Sequence, residues 1–131
     1  MLKRNRWFVT LSLVYGLSGG LIGLVSLAWP HALPGNVPRL HGHLMLLGFV
    51  AMMIYGIALH VLSRFSGRPL YSERLADGQF VLANAGLLTM AAGWLATNDL
   101  IVAVGGGLTI AAMAAFAANV AFTVQLIGLK G

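Results

Sequence analysis

The sequence predicts an all-α integral membrane protein, a four-helix bundle, from three observations: its composition, the length of its apolar segments and the placement of its cations. Hydrophobic residues make up 59% of the 131 residues and charged residues only 8%, whereas charged residues form about 25% of a soluble domain. Because lipid offers the backbone no hydrogen-bond partner, such apolar segments cross a bilayer as helices. We therefore expect one membrane domain over residues 1–131.

Four apolar segments are each long enough to cross a bilayer. At a rise of 1.5 Å per residue, about 20 residues span a hydrocarbon core of roughly 30 Å. The predicted spans cover residues 7–29, 40–62, 78–97 and 100–129. The first span follows a basic start but is longer than the apolar region of a secretory signal, about 7 to 15 residues, so we interpret it as a retained helix.

The cations lie almost entirely on one side of this predicted topology. Arg39 alone falls in a loop on the other side. The remaining cations are Lys3, Arg4, Arg6, Arg64, Arg68, Arg74 and Lys130. By the positive-inside rule, both termini are expected to be cytoplasmic, in a prokaryotic cytoplasmic membrane. The net charge of +5 thus predicts orientation in a lipid bilayer and no binding of nucleic acid.

Short turns and small residues predict how the helices pack. Asn98 and Asp99 make a very short turn, so the third and fourth spans are expected to form an antiparallel hairpin. Small residues recur at helical spacing in the first and fourth spans, which favours close helix contacts. These residues are Gly16, Gly19, Gly20, Gly23, Gly105, Gly106, Gly107, Ala111, Ala112, Ala115 and Ala118.

Most polar and aromatic side chains of the spans are expected to be structural. The amides of Asn84 and Asn119 are of a kind that bridges helices. Trp7, Trp29 and Trp94 fall near the predicted membrane boundaries, where tryptophan commonly anchors a helix at the headgroup level.

Two histidines at the start of the second span, His41 and His43, are the main candidates for chemistry. Two residues along an α-helix rotate the side-chain direction by about 200°, so one chain cannot hold a single cofactor with both imidazoles. Each imidazole needs a different partner. An ionisable or metal-binding side chain in a span predicts function, and interfacial hydrogen bonding is the alternative interpretation.

An apolar strip continues the side of each histidine along the helix. Gly48 and Met52 follow His41 at helical spacing, and they are expected to share its face. A flat macrocycle would pack against such a strip, with Gly48 giving it room, although ordinary helix contacts produce the same pattern. Cysteine is absent, so histidine, methionine or oxygen must bind any metal. Met52 is either a soft ligand or a core residue.

The residues around this pair resemble a known family. Residues 41–50, HGHLMLLGFV, and 55–70, YGIALHVLSRFSGRPL, are similar to small proteins related to subunit I of haem–copper oxidases and nitric oxide reductases. In the large members, a His-Gly-x-x-Met sequence on the second helix provides an axial ligand of a haem. His41, Gly42 and Met45 match it. A His-x-His pair on their tenth helix serves two haems, and His41 and His43 match that pair.

The resemblance also implies an assembly. Twelve helices of the large subunit form three four-helix arcs, in which the second and tenth helices occupy equivalent places, and this chain resembles one arc. The implied protein is a head-to-tail ring, a homotrimer in which His41 of one subunit and His43 of the next bind haem b. Arg39, one turn earlier, is expected to bind a haem propionate or a lipid headgroup.

A departure from the family limits the expected activity. Catalytic members carry ligands of a second metal in helices whose counterparts here, residues 78–97 and 100–129, contain neither histidine nor acid. Reduction of oxygen or nitric oxide is therefore not expected, and copper binding is left open. Two imidazole ligands suit one-electron transfer or redox sensing, and a displaceable ligand suits gas sensing.

Two further histidines are assigned lesser roles, and two functions without a cofactor are alternatives. His60, near the cytoplasmic boundary, is expected to cap the helix or relay protons, and His31 to lie on the surface of the outer loop. The alternative functions are a structural or assembly subunit and a small-molecule transporter. The transporter would need polar residues at the bilayer midplane, and few are present.

Overall fold

The computed structural model describes residues 1–125, which form four long helices and contain no strand. The helices are α1 (Lys3–Ala28), α2 (Val37–Phe65), α3 (Glu73–Leu95) and α4 (Asp99–Val124). Within α2, residues Leu44–Ala51 are π-helical. The prediction of an all-helical chain with four helices is confirmed.

Three of the helices, α1, α2 and α4, are long and apolar enough to cross a membrane. Such helices are typical of an integral membrane protein. The 23 residues of α3 are more polar, since Glu73 and Asp77 lie in its first two turns and Gln79 and Asn84 follow. The crossing of the bilayer by α3 therefore stays a prediction.

Helices α2 and α3 begin before the predicted residues 40 and 78, because polar side chains cap them. Asn36 Oδ1 accepts a hydrogen bond from the Arg39 N–H at 3.3 Å, and Ser72 Oγ accepts one from the Leu75 N–H at 3.1 Å. Such caps satisfy backbone donors in a polar first turn, which a hydropathy criterion misses. Helix α4 ends at Val124, and the predicted helical residues 126–129 lie outside the described part of the chain.

The hairpin of α3 and α4 forms the most extensive helix interface of the protein. Glycines let the two backbones approach closely. A Cβ atom added to Gly105 would lie 2.5 Å from Met90 N, and one added to Gly86 would lie 2.7 Å from Thr109 N. The hairpin prediction is confirmed, and so is the packing role of Gly105, whereas a Cβ at Gly107 would meet nothing within 4 Å.

Helix α1 packs along one side of α2, where its glycines Gly16 and Gly19 allow close contact. The α3–α4 hairpin covers the other side of α2. A Cβ at Gly16 would lie 2.9 Å from Phe49 Cδ2, and one at Gly19 would lie 3.1 Å from Met45 Sδ. The shared core contains Phe8, Tyr15, Leu40, Leu44, Met52, Tyr55, Leu59 and Leu87.

Two asparagines join separate parts of the bundle, as the sequence predicts. Tyr15 donates its hydroxyl proton to Asn84 Oδ1 at 2.8 Å, which links α1 to α3. Asn119 Nδ2 donates to the carbonyl oxygen of Ser72 at 2.8 Å, and Asn119 Oδ1 accepts from the Ser72 N–H at 3.1 Å. These bonds fix the entry to α3 against α4 and satisfy buried polar atoms.

Candidate functional site

His41 lies on the side of α2 that faces α1. Its Nδ1 is 2.7 Å from the carbonyl oxygen of Gly19, and because a carbonyl oxygen can only accept, Nδ1 carries the proton and donates. In the neutral imidazole, Nε2 then keeps a free lone pair. Gly23 provides the space for the ring, since a Cβ at this position would lie 2.7 Å from both His41 Cε1 and Nδ1.

His43 lies on the other side of α2, against α3. Its Nδ1 is 2.9 Å from the carbonyl oxygen of Arg39, one turn earlier in the helix, so this nitrogen also donates, and in the neutral imidazole Nε2 keeps its lone pair. The ring packs on the indole of Trp94, with ring centroids 4.3 Å apart and an angle of 45° between the ring planes.

The two imidazoles share a hydrogen-bonding arrangement that is typical of metal ligands. A metal-binding histidine almost always donates its other ring N–H to a carboxylate, a backbone carbonyl or water, which fixes the tautomer and the ring orientation. Both His41 and His43 meet this condition through a backbone carbonyl. Chemically, each side of α2 can therefore offer one neutral imidazole Nε2 to a metal ion.

The two imidazoles do not converge on one point. His41 packs against α1 and His43 against α3, as the rotation of about 200° between them predicts. Within residues 1–125, no three His, Cys, Asp or Glu side chains are grouped so that they could hold a metal ion. A metal ion with two of these imidazoles as ligands would have to take them from two copies of the chain.

A groove between α1 and the start of α2 gives access to His41. It has a volume of about 450 Å³ and is lined by His41 and mostly by small or apolar residues. These are Gly20, Gly23, Leu24, Ser26, Leu27 and Pro38. A second groove of about 280 Å³ follows along the same two helices, and Gly16, Met45 and Phe49 are among its residues. The larger groove has the size and apolar lining of a cofactor site.

Gly48 and Met52 are not among the residues that line the groove beside His41, and their predicted role in binding a cofactor stays a prediction. A Cβ at Gly48 would lie 2.6 Å from Tyr15 Cβ, which means that Tyr15 fills the space beside this glycine. Met52 is 1% exposed, in the core. Met45, four residues after His41, lies on the side of α2 that faces α1, since a Cβ at Gly19 would lie 3.1 Å from its Sδ.

The remaining candidate residues do not line the groove. Arg39 is exposed at the start of α2, and its side chain forms no ion pair within residues 1–125. His60 is half-buried near the other end of α2, and His31 is exposed in the α1–α2 connection. The structure therefore places Arg39 one helical turn from His43. It leaves His60 and His31 outside the candidate site.

Sequence reasoning missed the residues that orient the imidazoles. The sequence predicts an interfacial anchor at Trp94, but this residue is 6% exposed and packs on His43. Trp7 and Trp29 are exposed, and their role as anchors stays a prediction. For Gly19 and Gly23 the sequence predicts helix packing alone. Their spacing of four residues, at the end of α1 that faces the start of α2, is the signal that could have linked them to His41.

Together, these features define a class: a helical protein of membrane type that presents two orientated and divergent imidazoles near one end of the bundle. The chain matches no protein-family model, no curated protein and no solved structure.

Proposed function

We propose that this chain is a membrane-embedded haem b protein for electron transfer or for redox or gas sensing, with haem held between subunits by His41 and His43. The observation that carries the proposal is the position of Nδ1 in both rings, which lies within hydrogen-bond distance of a backbone carbonyl oxygen. In the neutral ring, Nδ1 donates to that oxygen and Nε2 keeps the lone pair that an iron ligand requires.

The groove beside His41 supports this choice of cofactor. Its volume of about 450 Å³ lies in the range of small-molecule and cofactor sites, roughly 300 to 1,000 Å³. Gly20 and Gly23 have no side chain that would fill the groove, and Leu24 and Leu27 contribute apolar side chains to its wall. These residues can pack against a flat ring system, and Arg39, one turn before His43, can provide a cation for its carboxylates.

The divergence of the two imidazoles supports binding between copies of the chain. In a head-to-tail ring, the surface that carries His41 on one subunit faces the surface that carries His43 on the next. A ring of three copies would repeat the arc arrangement of the family that residues 41–70 resemble. Each subunit then contributes one ligand to each of two cofactors.

Two imidazole ligands favour electron transfer as the function. A haem b ligated in this way supplies a one-electron iron couple. The protein holds both rings by hydrogen bonds to the backbone, which keeps the ligand geometry fixed. Both termini are proposed to lie in the cytoplasm and the histidine pair near the outer face of a prokaryotic membrane, in accord with the positive-inside rule.

A visible absorption spectrum of the purified protein tests the proposal. We expect a Soret band, and sharp α and β bands on reduction, with one haem b per subunit by pyridine haemochrome assay. His41→Ala and His43→Ala should each lose the bound haem, because each removes one ligand. His31→Ala and His60→Ala are matched controls and should retain it.

Two outcomes of this experiment separate the alternatives. A wild-type protein without a Soret band, after expression with added haem precursor, would reject the haem proposal and favour a structural or assembly subunit. Carbon monoxide added to the reduced protein distinguishes electron transfer from gas sensing. An unchanged spectrum indicates two firmly bound imidazoles, and a shifted Soret band indicates that one of them is displaceable.

A further inference from the structure

The first turns of α1 carry cations in two different environments. Arg4 faces α3, where its guanidinium lies 2.7 Å from Glu73 Oε2 and 2.9 Å from Asp77 Oδ1, and its side chain is only 10% exposed. Lys3 and Arg6 are exposed and form no ion pair within residues 1–125. The helix therefore uses one cation to join the bundle and leaves two that point away from it.

No carboxylate side chain of this chain is placed to neutralise Lys3 and Arg6. The sequence contains three acidic residues. Two of them bind Arg4. The third, Asp99, starts α4 and so lies at the opposite end of the bundle, because α3 and α4 are antiparallel. The side chains of Lys3 and Arg6 are therefore accessible to an external anion.

A basic pocket, defined by Lys3, Arg6, Trp7 and Thr10, surrounds these two cations. It has a volume of about 430 Å³, and the indole of Trp7 is 56% exposed. The ammonium, the guanidinium and the Thr10 hydroxyl are all hydrogen-bond donors suited to a phosphate. An indole at the end of an apolar helix is typical of the headgroup level of a bilayer.

Apolar residues continue from the basic pocket along α1. Leu13, Val14 and Leu17 follow at helical spacing and are 50%, 54% and 77% exposed. The surface thus changes from cationic to apolar along the helix axis, as a phospholipid changes from headgroup to acyl chain. A soluble anion would use the cations but would leave this apolar strip without a role.

We propose that the basic pocket binds the headgroup of one anionic phospholipid, whose acyl chains lie along Leu13 and Leu17. The charge of Lys3 and Arg6 selects an anionic over a zwitterionic lipid, and Trp7 and Thr10 set the depth of the phosphate. This site lies at the opposite end of α1 from Gly23 and His41, so it is independent of the proposed haem.

Native mass spectrometry of the full chain in mild detergent tests the site with two lipids that have identical oleoyl chains, phosphatidylglycerol and phosphatidylcholine. We expect preferential retention of one phosphatidylglycerol per subunit. The double variant Lys3→Gln/Arg6→Gln should bind it about 30-fold more weakly, given the usual contribution of two cations at a membrane surface. Arg64→Gln/Arg74→Gln removes the same charge outside the pocket and should lower the affinity less than about threefold.

Three results would overturn the proposal. They are equal retention of the two lipids by the wild type, equal loss of affinity in the two double variants, and displacement of the lipid by excess inorganic phosphate, which would indicate a site for a free anion. Far-UV circular dichroism checks that the variants keep their helices. Independently of any variant, raising the ionic strength should weaken retention of phosphatidylglycerol by the wild type, because the contact is exposed to solvent.

Discussion

His41 and His43 use the same kind of hydrogen bond but depend on different parts of the protein. The acceptor for His41 is the Gly19 carbonyl of α1, so the orientation of this ring depends on how α1 packs against α2. The acceptor for His43 is the Arg39 carbonyl of its own helix. A change in α1 should therefore affect one of the two proposed ligands and leave the other in place.

The substitution Gly23→Ala tests this dependence. The added Cβ would lie 2.7 Å from His41 Cε1 and Nδ1, so the ring must move and its bond to Gly19 must weaken. Loss of such a supporting hydrogen bond typically lowers metal affinity about 10- to 100-fold. We expect this loss in haem affinity, measured by haem titration of the apoprotein, with unchanged helix content.

Gly78→Ala is the matched control for that prediction. It makes the same substitution in another helix, and its Cβ would meet nothing within 4 Å, so haem affinity should equal that of the wild type. Equal haem affinity in Gly23→Ala and Gly78→Ala would contradict the role assigned to the His41–Gly19 bond.

At the scale of single residues, the sequence predicts which side chains can carry chemistry but not what orientates them. The spacing of His41 and His43 is enough to predict divergent imidazoles, because their rotation follows from helix geometry. The carbonyl of Gly19 and the indole of Trp94 come from helices that are distant in the sequence. No local pattern near residue 41 identifies these partners.

At the scale of the helices, hydropathy predicts the four elements and misses two features of α2. Its start at Val37 depends on the Asn36 cap, a polar signal outside the apolar run. Its π-helical segment, Leu44–Ala51, has no hydropathy signature because the whole segment is apolar. Because a π-helix turns less per residue than an α-helix, a face predicted with a constant turn of 100° per residue shifts along this segment.

The close contact of α3 with α4 can be tested by a substitution at Gly105. In Gly105→Ala, the new Cβ would lie 2.5 Å from Met90 N and 2.7 Å from Gly86 O, and backbone atoms cannot move aside as a flexible side chain can. Overpacking of this kind costs about 1 to 3 kcal/mol. We expect a loss of this size in the free energy of unfolding, measured by denaturant titration in mild detergent with far-UV circular dichroism.

Gly107→Ala provides the comparison on the same helix. Its Cβ would meet nothing within 4 Å, and alanine is the better helix former by about 1 kcal/mol, so its stability should equal or exceed that of the wild type. If Gly105→Ala were as stable as Gly107→Ala, the close packing of the α3–α4 hairpin would be refuted.

At the scale of the whole molecule, the number of membrane crossings decides where the histidine pair lies. The chain has no cysteine, so single cysteines can be introduced and labelled with a membrane-impermeant maleimide in intact cells. Four crossings predict labelling of Ala32→Cys and Ala96→Cys, and protection of Leu2→Cys and Ser66→Cys. Protection of Ala96→Cys together with Ser66→Cys would mean that α3 does not cross the bilayer.

The proposed ring makes each haem a joint product of two subunits, and this is the central claim. Co-expression of His41→Ala and His43→Ala chains tests this claim directly. Each variant is expected to bind no haem by itself, and the haem content of the purified mixture is measured. With random assembly of equal amounts in a head-to-tail ring, one ordered interface in four pairs an intact His41 with an intact His43, so we predict about a quarter of the wild-type haem content. Haem content no higher than that of either variant alone would contradict ligation between subunits.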